Sequence, residues 1–247
     1  MEKKRIAIIT FFQSFDNYGQ LLQCYALQRT IEQLGHSVYV IRYGFQYKYV
    51  HWSSIHNYIT RSGIYTIKKQ LKSVYHIITN KEYNSRNFAQ FRRKYIKSSS
   101  RCYNTLAELQ KHPPHADVYI TGSDQAWAQL ISQTDNRSFF LDFGKGSIKR
   151  IAYAPSFAME SYPSELNDSL RQLLTRFDAV SVREKSGTDI CKHIGINAQL
   201  VLDPTLLLPA STYKNLSKKN TNKNYCFVYH VNVSTPDELY WQSAKTD

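Results

Sequence analysis

A doubly wound parallel α/β domain is the fold this sequence predicts, and three observations carry the prediction. The run Ile6–Ile9 is short, β-favouring and uninterrupted by polar residues, as a strand buried on both faces requires. A helix-periodic stretch and a second strand-like run follow it within the first forty residues. The same alternation returns after residue 112 and continues to about residue 202.

The elements can be justified in chain order. After Ile6–Ile9 comes a loop, Phe11–Gly19. Leu21, Leu22, Tyr25, Ala26, Ile31 and Leu34 then recur at helical spacing, and Gly35 stands where a left-handed residue ends a helix. Val38–Ile41 resumes as a strand. Asp117–Thr121, Ile148–Ala154, Ala179–Val182 and Gln199–Leu202 read as further strands. Helices over about Ser164–Phe177 and Glu184–His193 separate the last three. The polar stretch Ser217–Asn224 reads as a linker, followed by a strand at Tyr225–Tyr229. The expected organisation is a domain over residues 1–216, then a linker and the incomplete start of a second domain over 217–247.

Residues 43–112 differ from the rest. They hold 13 Lys+Arg against only Glu82 and Glu108, a balance of +11 within a chain whose net charge is +13. Ile64–Thr79 and Glu82–Ile96 read as basic helices with aromatic or aliphatic stripes, so the segment is expected to be a helical insertion between strands. Three readings of it stay open: a solvated face, a nucleic-acid surface, and a patch for anionic lipid. No helix-turn-helix, RNP or zinc-finger pattern accompanies it, which places nucleic acid below lipid, and no nucleic acid is expected as a partner.

Composition excludes other classes. Hydrophobic residues make up 42% and charged residues 21%, ordinary for a globular chain and unlike a disordered one. Cys24, Cys102, Cys191 and Cys226 are too widely spaced for a zinc motif or a disulfide framework. No metal or cofactor is expected. There is no G-x-G-x-x-G after the first strand, no G-x-x-x-x-G-K-[ST] and no G-x-S-x-G. No apolar run approaches the ~20 residues that cross a bilayer. A cytoplasmic protein is expected, touching the inner membrane surface where the basic segment meets lipid.

A parallel sheet with crossover helices gathers the strand C-terminal tips on one edge, where ligands bind. Four tips here are polar: Asp16–Gly19, Ser123–Gln125, Arg183–Gly187 and Asp203. Polar caps at strand ends are ordinary, but four in one sheet point to a site.

The motifs at these tips resemble one family. Asn17-Tyr-Gly-Gln-Leu-Leu-Gln-Cys-Tyr-Ala-Leu-Gln28 is similar to the first-helix motif of polysaccharide pyruvyl transferases. Gly122-Ser-Asp-Gln-Ala-Trp127 resembles their G-S-D-Q-x-W element, and Ala152-Tyr-Ala-Pro-Ser-Phe157 their S-Y-A-x-S-F strand. Ser181-Val-Arg-Glu-Lys-Ser-Gly187 and Val201-Leu-Asp-Pro-Thr-Leu-Leu207 are similar to two more of their signatures. The resemblance covers roughly residues 5–230.

It implies two Rossmann-like domains facing across a cleft, as in B-type glycosyltransferases, with this chain supplying the first. It also implies a transferase that moves the pyruvyl group of phosphoenolpyruvate onto two hydroxyls of a sugar, or of a lipid-linked oligosaccharide, as a cyclic ketal. Capsule, exopolysaccharide or cell-wall polymer is the setting implied. Carried onto this sequence, Arg183 is the candidate contact to a donor anion and Asp124 the candidate to hold or deprotonate an acceptor hydroxyl. Asn17, Tyr18, Ser123 and Gln125 are candidate substrate contacts, with Asp203 expected mainly to fix the Pro204 turn. The alternatives are that Arg183 pairs with Glu184 or another carboxylate and that Asp124 caps the following segment. The family's D-S-F-H-G-like motif, whose histidine is the expected acid, has no counterpart after Tyr229. The chain therefore reads as truncated, and the alternative function is a catalytically inactive acceptor-binding module, with no turnover expected from the chain as written.

Overall fold

The computed structural model describes residues 2–13, 17–44 and 87–217. The expected helix at 64–79, the linker beyond Ser217 and the strand at 225–229 lie outside the described residues. The chain divides into two compact units, Met1–Pro209 and Ala210–Asp247. The described part of the second is a short helix, Ala210–Lys214, with the turns that follow it.

The first unit is built on a seven-stranded sheet. Its strands are β1 (Arg5–Ile9), β2 (Ser37–Tyr43), β3 (Ser98–Tyr103), β4 (Val118–Thr121), β5 (Lys149–Ala152), β6 (Ala179–Val182) and β7 (Gln199–Leu200). The spatial order is β3-β2-β1-β4-β5-β6-β7 and every pairing is parallel. The α/β fold expected from the alternation is thus present. Strand order reverses between β1 and β4, so the loops after these two strands diverge to opposite faces and leave a crevice at their C-terminal ends.

Helix α1 (Tyr18–Gln33) begins at Asn17, whose side-chain oxygen accepts the Gln20 N–H at 3.1 Å. It ends at Leu34, followed by Gly35 at φ +89°, a left-handed residue as the sequence suggested. Leu34 belongs to the apolar spacing but is 58% exposed, because it sits past the last helical turn. Helix α2 (Phe88–Tyr95) precedes β3; α3 (Leu106–Lys111), α4 (Asn167–Leu174) and α5 (Lys185–His193) complete the layers.

Alternation along each strand splits the core in two. Ile6, Ile8, Val38, Val40, Val118 and Ile120 face Leu21, Cys24, Leu27 and Ile31 of α1 and Phe88 of α2. Ala7, Ile9, Ile41, Tyr119, Ala152, Val180 and Val182 face the other way, onto Trp127, Phe140, Leu170, Leu173 and Ile190. On that side the Arg150 guanidinium is buried and donates to five carbonyls, those of Leu141, Phe143, Gly144, Lys145 and Ile148. Burial, helped by nearby Arg176, pulls its pKa below the ordinary arginine value.

The main departure from expectation is β3. It lies inside the span read as a helical insertion, and its sequence, Ser-Ser-Ser-Arg-Cys-Tyr, buries only Tyr103. An edge strand with so little apolar content leaves no periodic trace. Among the described residues, no helix is long and apolar enough to cross a membrane.

Candidate functional site

Polar groups that follow β1 and β4 meet at the crevice between them; Asp16, part of the first polar tip, lies outside the described residues. Thr10 follows β1, and Gly122, Ser123 and Asp124 follow β4. The chain after β4 must pass close to β1: a Cβ on Gly122 would come within 3.0 Å of Thr10 Cβ and 3.1 Å of Leu27 Cδ2. Glycine is favoured there by packing rather than by conformation.

The loop carrying Asp124 is held from both sides. Thr10 Oγ1 donates to the Ser123 carbonyl at 2.7 Å, and Gln23, buried in α1, donates from Nε2 to Thr10 Oγ1 (3.1 Å), the Phe11 carbonyl (2.8 Å) and the Gln20 carbonyl (2.9 Å). From the β5 side, the Ser156 N–H donates to the Asp124 carbonyl at 2.8 Å and the Trp127 N–H to the Ser156 carbonyl at 3.1 Å. Trp127 anchors the loop's far end. It is fully buried, stacks on Phe140 at 5.0 Å, and donates from Nε1 to the Phe139 carbonyl. Asp124 itself has φ +77°, and Ala154 and Ala158 in the neighbouring loop are also left-handed. Non-glycine residues in this region cost free energy that the surrounding contacts must offset, and they concentrate at functional loops.

Asp124 Oδ2 is buried and has no hydrogen-bond partner. Burial raises its carboxyl above the ordinary value, against the Gln125 N–H, the Arg183 charge and the Gln20 side chain, which all favour ionisation. No helix begins at Asp124, so it does not serve as a helix cap.

Ser123, Arg183 and Asp203 are in direct contact. The Ser123 hydroxyl donates to Asp203 Oδ2 at 2.5 Å, and Arg183 Nη1 donates to the same oxygen at 3.2 Å. The other Asp203 oxygen accepts the Thr205 N–H at 3.0 Å and its hydroxyl at 2.8 Å. Burial opposes ionisation of Asp203, but the hydrogen bonds from Ser123, Thr205 and Arg183 together outweigh it and hold the carboxyl below the ordinary value. Asp203 therefore joins the β4 and β6 tips as well as fixing the Pro204 turn. Arg183 also meets Glu184, Nε to Oε2 at 3.6 Å, so two carboxylates flank it. Among the described residues its Nη2 is left without a partner.

The remaining candidates lie further out. Asn17 caps α1, and through Gln20 it is connected to Asp124. Tyr18 is 55% exposed with its ring 4.7 Å from that of Phe88. Gln125 is exposed, with its carbonyl accepting the Ala128 N–H. Thr10, Gln20 and Gln23 were not singled out from sequence. Gln23 carried the one available signal, an amide among apolar neighbours on the inner side of α1.

In comparisons with known proteins, no curated protein matches. Solved structures of an alpha-glucosyltransferase do. One, in complex with UDP and a 13-mer DNA, is 12% identical with a TM-score of 0.39; another, with UDP-glucose and DNA containing an abasic site, is 10% identical with a TM-score of 0.38. Each match covers 82% of this chain and 43% of the other, so this chain spans less than half the length of those structures. The family model for polysaccharide pyruvyl transferase matches residues 17–243, which take in Asp124, Arg183 and Asp203 alike, and the chain belongs to that family.

Proposed function

We propose that this chain serves the transfer of the pyruvyl group of phosphoenolpyruvate onto two hydroxyls of a sugar, as a cyclic ketal, during assembly of a surface polysaccharide, supplying the groups that hold the donor anion and the acceptor hydroxyl. The observation that carries the reading is Asp124: a carboxylate at the strand-order reversal, in a strained backbone conformation, with one buried oxygen unpartnered. A carboxylate raised above its ordinary value is a better proton acceptor than a solvated one, which suits a group that takes a hydroxyl proton.

The reaction balances as follows. A proton adds to C3 of the donor, C2 becomes electrophilic, and one sugar hydroxyl bonds to C2 while Asp124 receives its proton. Phosphate leaves with the electron pair of its bond to C2, and the second hydroxyl closes the ring. One hydroxyl proton replaces the proton used at C3 and the other is carried off on phosphate. Arg183 offers the free edge of its guanidinium to a donor oxygen, with Asp203 and Glu184 fixing its plane. No described residue is assigned to protonate C3. The +11 balance of residues 43–112 supports an acceptor presented on anionic lipid at the cytoplasmic side of a membrane.

The test is made in the cell that produces the protein. With Asp124→Asn at unchanged protein level, ketal-linked pyruvate released from surface polysaccharide by mild acid should fall to background. Unchanged ketal content would refute the proposal.

A further inference from the structure

A second concavity opens beside the cluster just described, over the C-terminal ends of β1, β2 and β3. Its volume is about 300 Å³, at the lower end of small-molecule sites and suited to one sugar ring rather than a chain. Phe11, Tyr43 and Phe139 form its apolar wall, with Phe11 and Tyr43 ring centroids 4.6 and 5.6 Å from that of Phe139. Gln129, Asn104 and Asp135 supply polar groups around it.

Three features define what fits. Among the described residues no Lys, Arg or His lines the cavity, while Asp135 places a carboxylate at it. The described lining therefore favours an uncharged ligand over a phosphate or carboxylate. Side-chain amides both donate and accept, which matches a hydroxyl that does the same. Asn104 is the clearest case: it lines the cavity, and its buried Oδ1 has no hydrogen-bond partner, a costly arrangement that a turn of the side chain toward a ligand hydroxyl would relieve. Aromatic rings supply broad apolar faces at little conformational cost, and a pyranose presents a C–H face to them.

The cavity also shares Thr10 and Gln20 with the Asp124 loop: Thr10 holds the Ser123 carbonyl, and Gln20 acts on the Asp124 carboxyl. We infer that this cavity is a subsite for an uncharged pyranose of the acceptor. It seats the sugar on Phe11, Tyr43 and Phe139 and delivers its hydroxyls, or those of the next residue, to Asp124. The acceptor role rests on the transferase reading; the binding of a neutral sugar does not.

The probe is methyl α-glucopyranoside, with methyl α-glucuronopyranoside as its anionic counterpart, titrated into the full chain by saturation-transfer NMR. The neutral glycoside should bind and the glucuronide bind more weakly. Asn104→Ala and Gln129→Ala should each weaken the neutral glycoside about fivefold, the ratio expected for one lost hydrogen bond. Both variants should keep the fold, since Asn104 contacts Glu108 through its backbone N–H and Gln129 is exposed. Asp135→Asn should narrow the difference between the two glycosides while keeping the acceptor oxygen that receives the Leu106 N–H. Equal affinity of wild type and both amide variants for the neutral glycoside would overturn the subsite, as would displacement of that glycoside by phosphoenolpyruvate. Glycoside binding that follows these expectations in a protein that forms no ketal would remove the transferase reading and leave the subsite standing.

Discussion

Replacing Asp203 by Asn tests the claim that one carboxylate ties the β4, β6 and β7 tips together. In the native protein its two oxygens accept four hydrogen bonds, from Ser123, Arg183 and twice from Thr205. Asn can keep the two Thr205 bonds through its carbonyl. Its amide nitrogen then faces Arg183 Nη1, donor against donor, and the ion pair is lost. The bond from Arg183 is removed and those from Ser123 and Thr205 lose their charge assistance in a half-buried site, so the expected loss is about 2 kcal/mol, more than tenfold in the folding equilibrium. Urea unfolding followed by Trp fluorescence reads this as a lower midpoint with an unchanged slope. The pH dependence gives a second reading. Because the folded-state pKa of Asp203 lies below the ordinary carboxylate value, its contribution is fully present above that ordinary value. It is lost as pH falls through the lowered folded value. The gap between wild type and D203N should therefore be constant near neutrality and close in acid. Equal midpoints at pH 7, or a gap that widens in acid, would refute the reasoning.

Asp124 should behave in the opposite way. Burial raises its folded pKa, so the ionised form opposes folding above the ordinary carboxylate value; Asp124→Asn should leave the protein at least as stable as wild type at pH 7 by the same urea assay. Gly144→Ala should cost more than about 2 kcal/mol, because the residue is left-handed at φ +74° and an added Cβ would meet Tyr119 Cε2 at 2.5 Å; thermal unfolding should show a clear drop. Arg150→Met should cost about 3 kcal/mol or prevent folding, since five carbonyls, those of Leu141 and Phe143 in buried hydrogen bonds, lose their donor, and recovery of soluble protein is the first reading.

Much of the fold was legible because a parallel sheet writes itself into sequence as short apolar runs between helical periods. Ala179–Val182 was located to the residue and the end of α1 at Gly35, whereas its start at Asn17 fell within the stretch read as a loop. Convergence of the polar tips was legible for the same topological reason: parallel strands end on one edge, and Ser123, Arg183 and Asp203 meet there. β3 was not legible, because its edge position needs no apolar alternation. Pairing of Arg183 with Glu184 or another carboxylate was one of the alternatives open in the sequence; that both Glu184 and Asp203 take part depends on how the β6 and β7 tips are set. The left-handed backbone of Asp124 was not legible either, since the loop that carries it is held by Thr10 and Ser156, residues more than thirty positions away on either side. The cavity lined by Phe11, Tyr43 and Phe139 is assembled from stretches around 11, 43, 104 and 129–139, none of which carries a local motif.

The account rests most directly on the donor meeting this edge of the sheet. Isothermal titration of phosphoenolpyruvate into the purified chain, with Arg183→Ala alongside, measures that contact. Saturable binding that the substitution abolishes is the predicted result, while equal heats from the two proteins, or none from either, would contradict it.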